Sequence, residues 1–180
     1  MGEEKEMTNI AQICKWANGS WLQQCEDASI EELVIDTRKI ADADHALFIA
    51  LATARRDGHG FIEDAYEKGV RSFLVQKPVN AEGFPNSNFI LVNDTQSALQ
   101  HIAAAHRKQF HIPVIGITGS NGKTIVKEWL YQLLAEDREV VKSPRSYNSQ
   151  IGVPLSVWLM DEHDEIAIFE AGISQTGEMG

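Results

Sequence analysis

The chain has 180 residues, 43% of them hydrophobic, which is enough apolar material for one core or two small ones. Sixteen Lys and Arg face 26 Asp and Glu, a formal charge of -10, so the average field repels nucleic acid and anionic membrane surfaces, and any phosphate ligand has to be held locally. No run approaches the roughly 20 apolar residues that cross a bilayer, and the start Met1-Gly2-Glu3-Glu4-Lys5-Glu6 is acidic where a secretory leader is basic. A cytoplasmic protein with neither a nucleic-acid nor a membrane partner is expected.

Taken in chain order, Thr8 suits the N-cap of a helix whose apolar residues Ile10, Ile13, Cys14 and Ala17 recur at helical spacing and which Asn18-Gly19 closes. Cys14 and Cys25 are the only cysteines; they have neither disulfide nor zinc spacing and read as reduced structural thiols. Leu33-Val34-Ile35 and Leu47-Phe48-Ile49-Ala50-Leu51 read as short strands on either side of a polar connection carrying Asp36-Thr37-Arg38. A helix over 61–68, closed by Gly69, leads into the strand Ser72-Phe73-Leu74-Val75. After a loop rich in Pro and Asn comes the strand Phe89-Ile90-Leu91-Val92, and then a helix capped by Asp94 with Ala98, Leu99, Ile102, Ala105 and His106 on one face, ending near Phe110.

His111-Ile112-Pro113 breaks the pattern, so a domain boundary is set there, giving domains 1–110 and 111–180. The second part opens with the buried-strand run Val114-Ile115-Gly116-Ile117. A glycine loop, a helix over 123–136, a strand at Val140-Val141, a polar loop, a helix over 151–160 and the strand Ile166-Ala167-Ile168-Phe169 follow. The fold class is α/β: a small α/β domain followed by the first part of a doubly wound P-loop domain, with too few strands before Gly180 to finish its sheet.

The richest chemistry lies in Gly116-Ile117-Thr118-Gly119-Ser120-Asn121-Gly122-Lys123-Thr124, between that buried strand and its helix. Glycines at 119 and 122 let successive N–H groups converge on phosphate oxygens while the helix adds its positive dipole end. Lys123 then reaches the β and γ phosphates, and the Thr124 hydroxyl ligates Mg²⁺. The strict pattern places Gly where Ile117 stands, so the match is to a variant with glycines at 116, 119 and 122. Glu170 ends the last strand, where α/β folds place ligand groups, and is a second candidate for Mg²⁺.

Other polar and aromatic groups have plainer readings. His101 and His106 are five apart and do not share a helix face as metal ligands, so they read as packing or surface residues. Asp161-Glu162-His163-Asp164-Glu165 reads as a solvated turn, Asp57-Gly58-His59 as a turn first and a substrate contact second, and Trp129 and Trp158 as core residues on apolar helix faces.

Ile117 to Thr124, followed by Val126-Lys127-Glu128, resembles the ATP loop of the Mur ligases, which build the peptide stem of the bacterial cell-wall precursor and so serve peptidoglycan synthesis, cell shape and division. Tyr147-Asn148-Ser149-Gln150-Ile151-Gly152-Val153-Pro154 and Ile168-Phe169-Glu170-Ala171-Gly172 extend the likeness. In the front domain Asp36-Thr37-Arg38, Leu47 to Leu51, Asp57-Gly58-His59 and Phe61-Ile62 with Ala65 and Gly69 are similar to the family's UDP-binding domain, although Ala52-Thr53 replaces a common Lys-Gly.

The resemblance implies an ATP- and Mg²⁺-dependent amide-forming ligase. The Asn-x-x-x-Gly-Val-Pro pattern favours the member that adds D-alanyl-D-alanine to UDP-N-acetylmuramoyl tripeptide through an acyl phosphate. On this reading 1–110 binds the UDP-sugar and 111–180 is an incomplete central ATP-binding domain. Gly119, Ser120, Asn121, Gly122, Lys123 and Thr124 bind the ATP phosphates, Lys123 acts catalytically by neutralising the transferring phosphate, and Thr124 and Glu170 hold Mg²⁺. Thr37 and Arg38 contact the uridine end, and Asn148 lies on the UDP-sugar or phosphate side. The wording around 143–147 and 170–174 is similar to versions fused to an alanine racemase, which adds a covalent partner domain to the expectations. The family's carbamylated lysine, metal-binding His and C-terminal domain fall beyond Gly180, so the 180-residue chain alone is expected not to complete ligation.

Two alternatives remain at this level, and other P-loop NTPases are set aside. Another Mur-type ligase step fits the same motifs; a GTPase lacks an Asn-Lys-x-Asp signature here, and a kinase leaves the front domain unexplained. A non-ligase P-loop module that binds nucleotide without turnover also fits.

Overall fold

A computed structural model describes residues 8–53 and 56–172. The acidic stretch 1–6, and Ile173 and Ser174 of the racemase-like wording, lie outside the described residues. The chain divides into two compact units, Met1–Ile102 and Ala103–Gly180, and each carries its own largely or wholly parallel sheet.

In the first unit, α1 (Ile10–Trp16) buries Ile10, Ile13 and Cys14. Its N-cap is Asn9 and not Thr8: Asn9 Oδ1 accepts the Gln12 N–H at 2.8 Å, while the Thr8 carbonyl accepts from Ile30 N. Then follow β1 (Ser20–Gln23), β2 (Glu32–Val34), β3 (Ala46–Ile49), the short pair β4 (Ala52–Thr53) and β5 (Arg56–Asp57), α2 (Ile62–Glu67), β6 (Ser72–Val75), β7 (Asn88–Leu91) and α3 (Thr95–Arg107). The five-stranded sheet runs β1-β7-β6-β3-β2. Its β2, β3, β6 and β7 are parallel, and β1 is an antiparallel edge.

Burial explains which of these strands the sequence reveals. All four residues of β3 and of β6 are buried, so each reads as a continuous apolar run, the mark of a parallel strand covered on both faces. Phe73 stacks on Phe89 at 4.7 Å between centroids and meets Phe48 edge-on at 6.3 Å, which ties three adjacent strands together in one core. β1 gives no such run: its residues alternate between exposed and half-buried, and four residues straight after a helix stop carry little pattern of their own.

The division at 102/103 falls inside α3, whereas the break at His111-Ile112-Pro113 suggests 110/111. The physical reason is the last turn of the helix. His106 is buried in the second unit, where its Nε2 lies 3.0 Å from the Met160 carbonyl and its ring packs on Phe110 and Trp158.

The second unit continues with β8 (Val114–Ile117), α4 (Lys123–Leu134), β9 (Val140–Lys142), α5 (Gly152–Val157) and β10 (Ile166–Glu170). Its three strands are parallel in the order β8-β10-β9, so the last strand inserts between the first two. Side chains alternate along β10. Ala167 and Phe169 pack with Val157 and Met160, whereas Glu170 meets Thr124 and Lys127 of α4. The two helices therefore cover opposite faces, as double winding requires. Trp158 is buried as expected, but Trp129 is 65% exposed. Ile125, Trp129 and Leu133 share a stripe on α4 turned away from the face that Thr124 and Lys127 present to the sheet, and with Val126, Leu130 and Leu134 widening the apolar arc the sequence does not reveal which stripe is buried.

Phe73→Ala empties the shared contact of three strands and is expected to destabilise the first unit by roughly 3–5 kcal/mol. The check is a lowered urea midpoint for the transition that reports this unit, with its slope unchanged.

Candidate functional site

The phosphate-loop candidate leaves β8 at Ile117 and enters α4 at Lys123. Two of its glycines need to be glycines: Gly119 has φ +142° and Gly122, the residue preceding the helix, φ +78°, values that side-chain-bearing residues rarely adopt. Gly116 is not part of the loop. It sits within β8 opposite Phe169, and a Cβ there would meet nothing within 4 Å, so the three-glycine variant reduces to two working glycines. Gly119, Ser120, Asn121 and Gly122 are exposed, and Lys123 folds across them, its Nζ donating to the Gly119 carbonyl at 2.6 Å. The helix that starts here is long enough to present a dipole end to an anion.

Beside the loop lies Glu170. Parallel pairing of β10 with β8 sets it opposite Ile117, the last residue before the loop. Its carboxylate is fully buried and its two oxygens face different partners: the Thr124 hydroxyl donates to Oε2 at 3.2 Å, and Oε1 lies 2.9 Å from Lys127 Nζ. Thr124 Oγ1 and Glu170 Oε2 form an oxygen pair suited to a hard divalent cation. No group of three His, Cys, Asp or Glu side chains among the described residues could hold a metal unaided. A cation here would take its other ligands from phosphate and water, as Mg²⁺ does.

Lys127, which follows Thr124 by one helical turn, is the group the sequence reading missed. It is completely buried. Its three ammonium donors have three near acceptors: Glu170 Oε1, the Ser143 carbonyl at 2.8 Å and the Arg145 carbonyl, with Glu128 Oε1 at 3.4 Å. Such an ammonium is tolerated in the interior because a carboxylate lies at ion-pair distance and two backbone carbonyls accept from it. The available signal was its place three residues after Thr124, on the same helix face.

The segment 143–152 is stitched to the end of β10. Ser143 Oγ accepts the Glu170 N–H at 3.0 Å, and the Asn148 carbonyl accepts the Gly172 N–H at 2.7 Å. A Cβ on Gly172 would lie 2.8 Å from that same Asn148 oxygen, which explains glycine there. Asn148 is thus brought to the strand end that carries Glu170, whereas Thr37 and Arg38 belong to the first unit.

In the first unit both candidates are locally engaged. Arg38 pairs with Asp36 through Nε at 2.9 Å and Nη2 at 2.6 Å, with its side chain 78% exposed. Thr37 is buried, and its hydrogen bond helps hold the Asp64 carboxyl below its usual range, together with Lys68. A further cluster forms where β5 and β6 end. Asp57 Oδ2 meets Lys77 Nζ at 2.5 Å, and Oδ1 meets His59 Nδ1 at 2.6 Å. The Gln76 N–H donates to His59 Nε2 at 3.2 Å, so Nε2 carries the lone pair and Nδ1 the proton given to Asp57. Asp57 thus ends β5 and caps the 3-10 turn Gly58–Phe61, and the same carboxylate fixes the His59 tautomer.

Residues 29–118 match the family model described as Mur ligase family, catalytic domain, and residues 117–180 match the Mur ligase middle domain. The chain is 39% identical over 176 residues to UDP-N-acetylmuramoyl-tripeptide--D-alanyl-D-alanine ligase of Bacillus subtilis, covering 98% of this chain and 37% of that protein. It superposes with a TM-score of 0.86 and 26% identity on UDP-N-acetylmuramoylalanyl-D-glutamyl-2,6-diaminopimelate--D-alanyl-D-alanyl ligase from Acinetobacter baumannii, over 99% of this chain and 39% of that one. With MurF ligase from Thermotoga maritima, solved in complex with ADP, the TM-score is 0.67 and the identity 32%, over 81% of this chain and 33% of that one. The chain thus spans less than two-fifths of the length of these relatives.

The Asp57 cluster makes a pH prediction. Lys77 first, then the His59 N–H and ring, hold this carboxyl far below the usual carboxylate range. A folded-state value below the unfolded one means the cluster stabilises fully above the unfolded value of about 3.9 and is lost only as pH falls through the lower folded value. Carboxyl NMR should find Asp57 still ionised at about pH 3, where an ordinary Asp is mostly protonated, and Lys77→Met should move its titration up. A midpoint near the ordinary value in the parent chain would contradict the geometry.

Proposed function

Because the chain belongs to the Mur ligase family, we propose that it supplies the UDP-sugar-binding part, residues 1–110, and the opening of the central ATP-binding part, residues 111–180, of an ATP-dependent ligase. The activity proposed for the whole protein is addition of D-alanyl-D-alanine to UDP-N-acetylmuramoyl tripeptide. The observation that carries the nucleotide half is the loop with Gly119 and Gly122 in conformations reserved for glycine, opening onto the Thr124–Glu170 oxygen pair. The 39% identity to the Bacillus subtilis ligase across nearly all of the chain supports the choice of substrates.

In this proposal the loop N–H groups at Gly119, Ser120, Asn121 and Gly122, with the first turn of α4, bind phosphate oxygens. Lys123 exchanges the Gly119 carbonyl, 2.6 Å away, for the transferring phosphate and neutralises its charge. Thr124 and Glu170 hold Mg²⁺, which when bound offsets the negative charge of the β and γ phosphates. Catalysis of this kind rests on positioning and charge neutralisation, and both come from groups at the carboxyl ends of neighbouring parallel strands. Arg38, exposed beyond its contact with Asp36, is the group of its pair best able to reach a UDP-sugar; Thr37 shapes the turn beneath it. Asn148 is assigned to the sugar or phosphate side.

Calorimetry with ATP-Mg²⁺ and, separately, with UDP-N-acetylmuramoyl tripeptide tests both halves. Both ligands should bind, and Lys123→Ala should weaken ATP-Mg²⁺ by about tenfold or more, about 1.4 kcal/mol, while leaving the UDP-sugar unaffected. ATP binding without any UDP-sugar affinity would favour a plain nucleotide-binding module, and unchanged ATP affinity in the variant would remove the phosphate-loop assignment.

A further inference from the structure

Glu170 has two oxygens and only one of them faces Thr124. The other is held 2.9 Å from the ammonium of Lys127, and both side chains are fully excluded from solvent. We propose that Lys127 is the positioning residue of this carboxylate: it occupies Oε1 so that Glu170 presents a single oxygen, Oε2, toward Thr124 and the phosphate loop. The proposal rests on the Mg²⁺-nucleotide reading above.

Three features separate this arrangement from an ordinary internal ion pair. First, Lys127 and Thr124 lie three residues apart on one helix, so the group that aims the carboxylate and the hydroxyl that shares its task move as one rigid body. Second, the ammonium spends its other donors on the Ser143 and Arg145 carbonyls, and Ser143 Oγ accepts the Glu170 N–H at 3.0 Å. The result is a closed circuit from α4 through the 143–145 segment to the strand end, which fixes the backbone of Glu170 as well as its side chain. Third, the positive charge offsets the carboxylate's own, leaving little net charge to attract a free cation. Phosphate oxygens must then supply the remaining attraction, so the cation is taken up together with nucleotide. A lysine that merely filled the core would need neither the contact with Glu170 Oε1 nor bonds to the segment that also holds the Glu170 backbone.

The test uses the 180-residue chain, a fluorescent ATP analogue and MgCl₂ titrated into it, with circular dichroism and thermal midpoints to follow folding. Lys127→Met should leave magnesium-free nucleotide affinity within about twofold of the parent, and should raise the MgCl₂ concentration for half-maximal enhancement of nucleotide binding by about tenfold or more. Glu170→Gln should raise it as well, and in that background Lys127→Met should add little, because one variant acts through the other. An unchanged or lowered half-saturation in Lys127→Met overturns the proposal. So does an equal fall in magnesium-free affinity, or additive effects in the double variant. If Lys127→Met does not fold, Lys127→Gln is read in the same way; if neither folds, the lysine serves the fold and the proposal is overturned. A parent chain that binds no nucleotide at all sinks the nucleotide reading itself, a result distinct from a parent that binds and a Lys127 variant that behaves like it.

Discussion

The register of β10 against β8 is the constraint on which the site depends. Parallel pairing puts Glu170 opposite Ile117, and the chain leaves β8 for the glycine loop at that same level. A slip of one residue would turn Glu170 to the α5 face, where Val157 and Met160 pack against Phe169, because side chains alternate along a strand. The carboxylate would then be buried among apolar groups with no partner. Lys127 and Thr124, projecting from one face of α4, would lose the group they share.

Burying that carboxylate is costly unless it is paired and hydrogen-bonded. The structure meets the requirement twice, with an ammonium on one oxygen and a hydroxyl on the other. The same logic reconciles a formal charge of -10 with a phosphate-loop candidate. In the proposed function, attraction for phosphate comes from backbone N–H groups, a helix end and Lys123 at contact distance, whereas the repulsive average field is screened over about 8–10 Å at ordinary ionic strength.

The two units answer the sequence in different ways. In the first, strands buried on both faces spell themselves out as apolar runs, and only the half-exposed edge strand β1 and the two-residue pair β4–β5 escape such a reading. In the second, β8 is legible as an apolar run although its residues are unevenly covered. What eluded sequence reasoning there was the orientation of α4, whose exposed Trp129 looks like core material in one dimension.

By itself the sequence determined the α/β class, the alternation of strands and helices and the glycine loop, and it marked Lys123, Thr124 and Glu170 as candidates beside that loop. These are local facts, written in apolar runs, caps and glycine spacing over a few residues. Only the tertiary structure decided that Gly116 stays in the strand, that Asn9 and not Thr8 caps the first helix, and that a lysine sixteen residues from Ser143 in the chain is bonded to its carbonyl. It alone joined Thr124 to Glu170, forty-six residues apart. The reason is physical: which partner satisfies a buried charge depends on strand order and register, and with β10 inserted between β8 and β9 that order is set by packing across the whole unit, which no local pattern encodes.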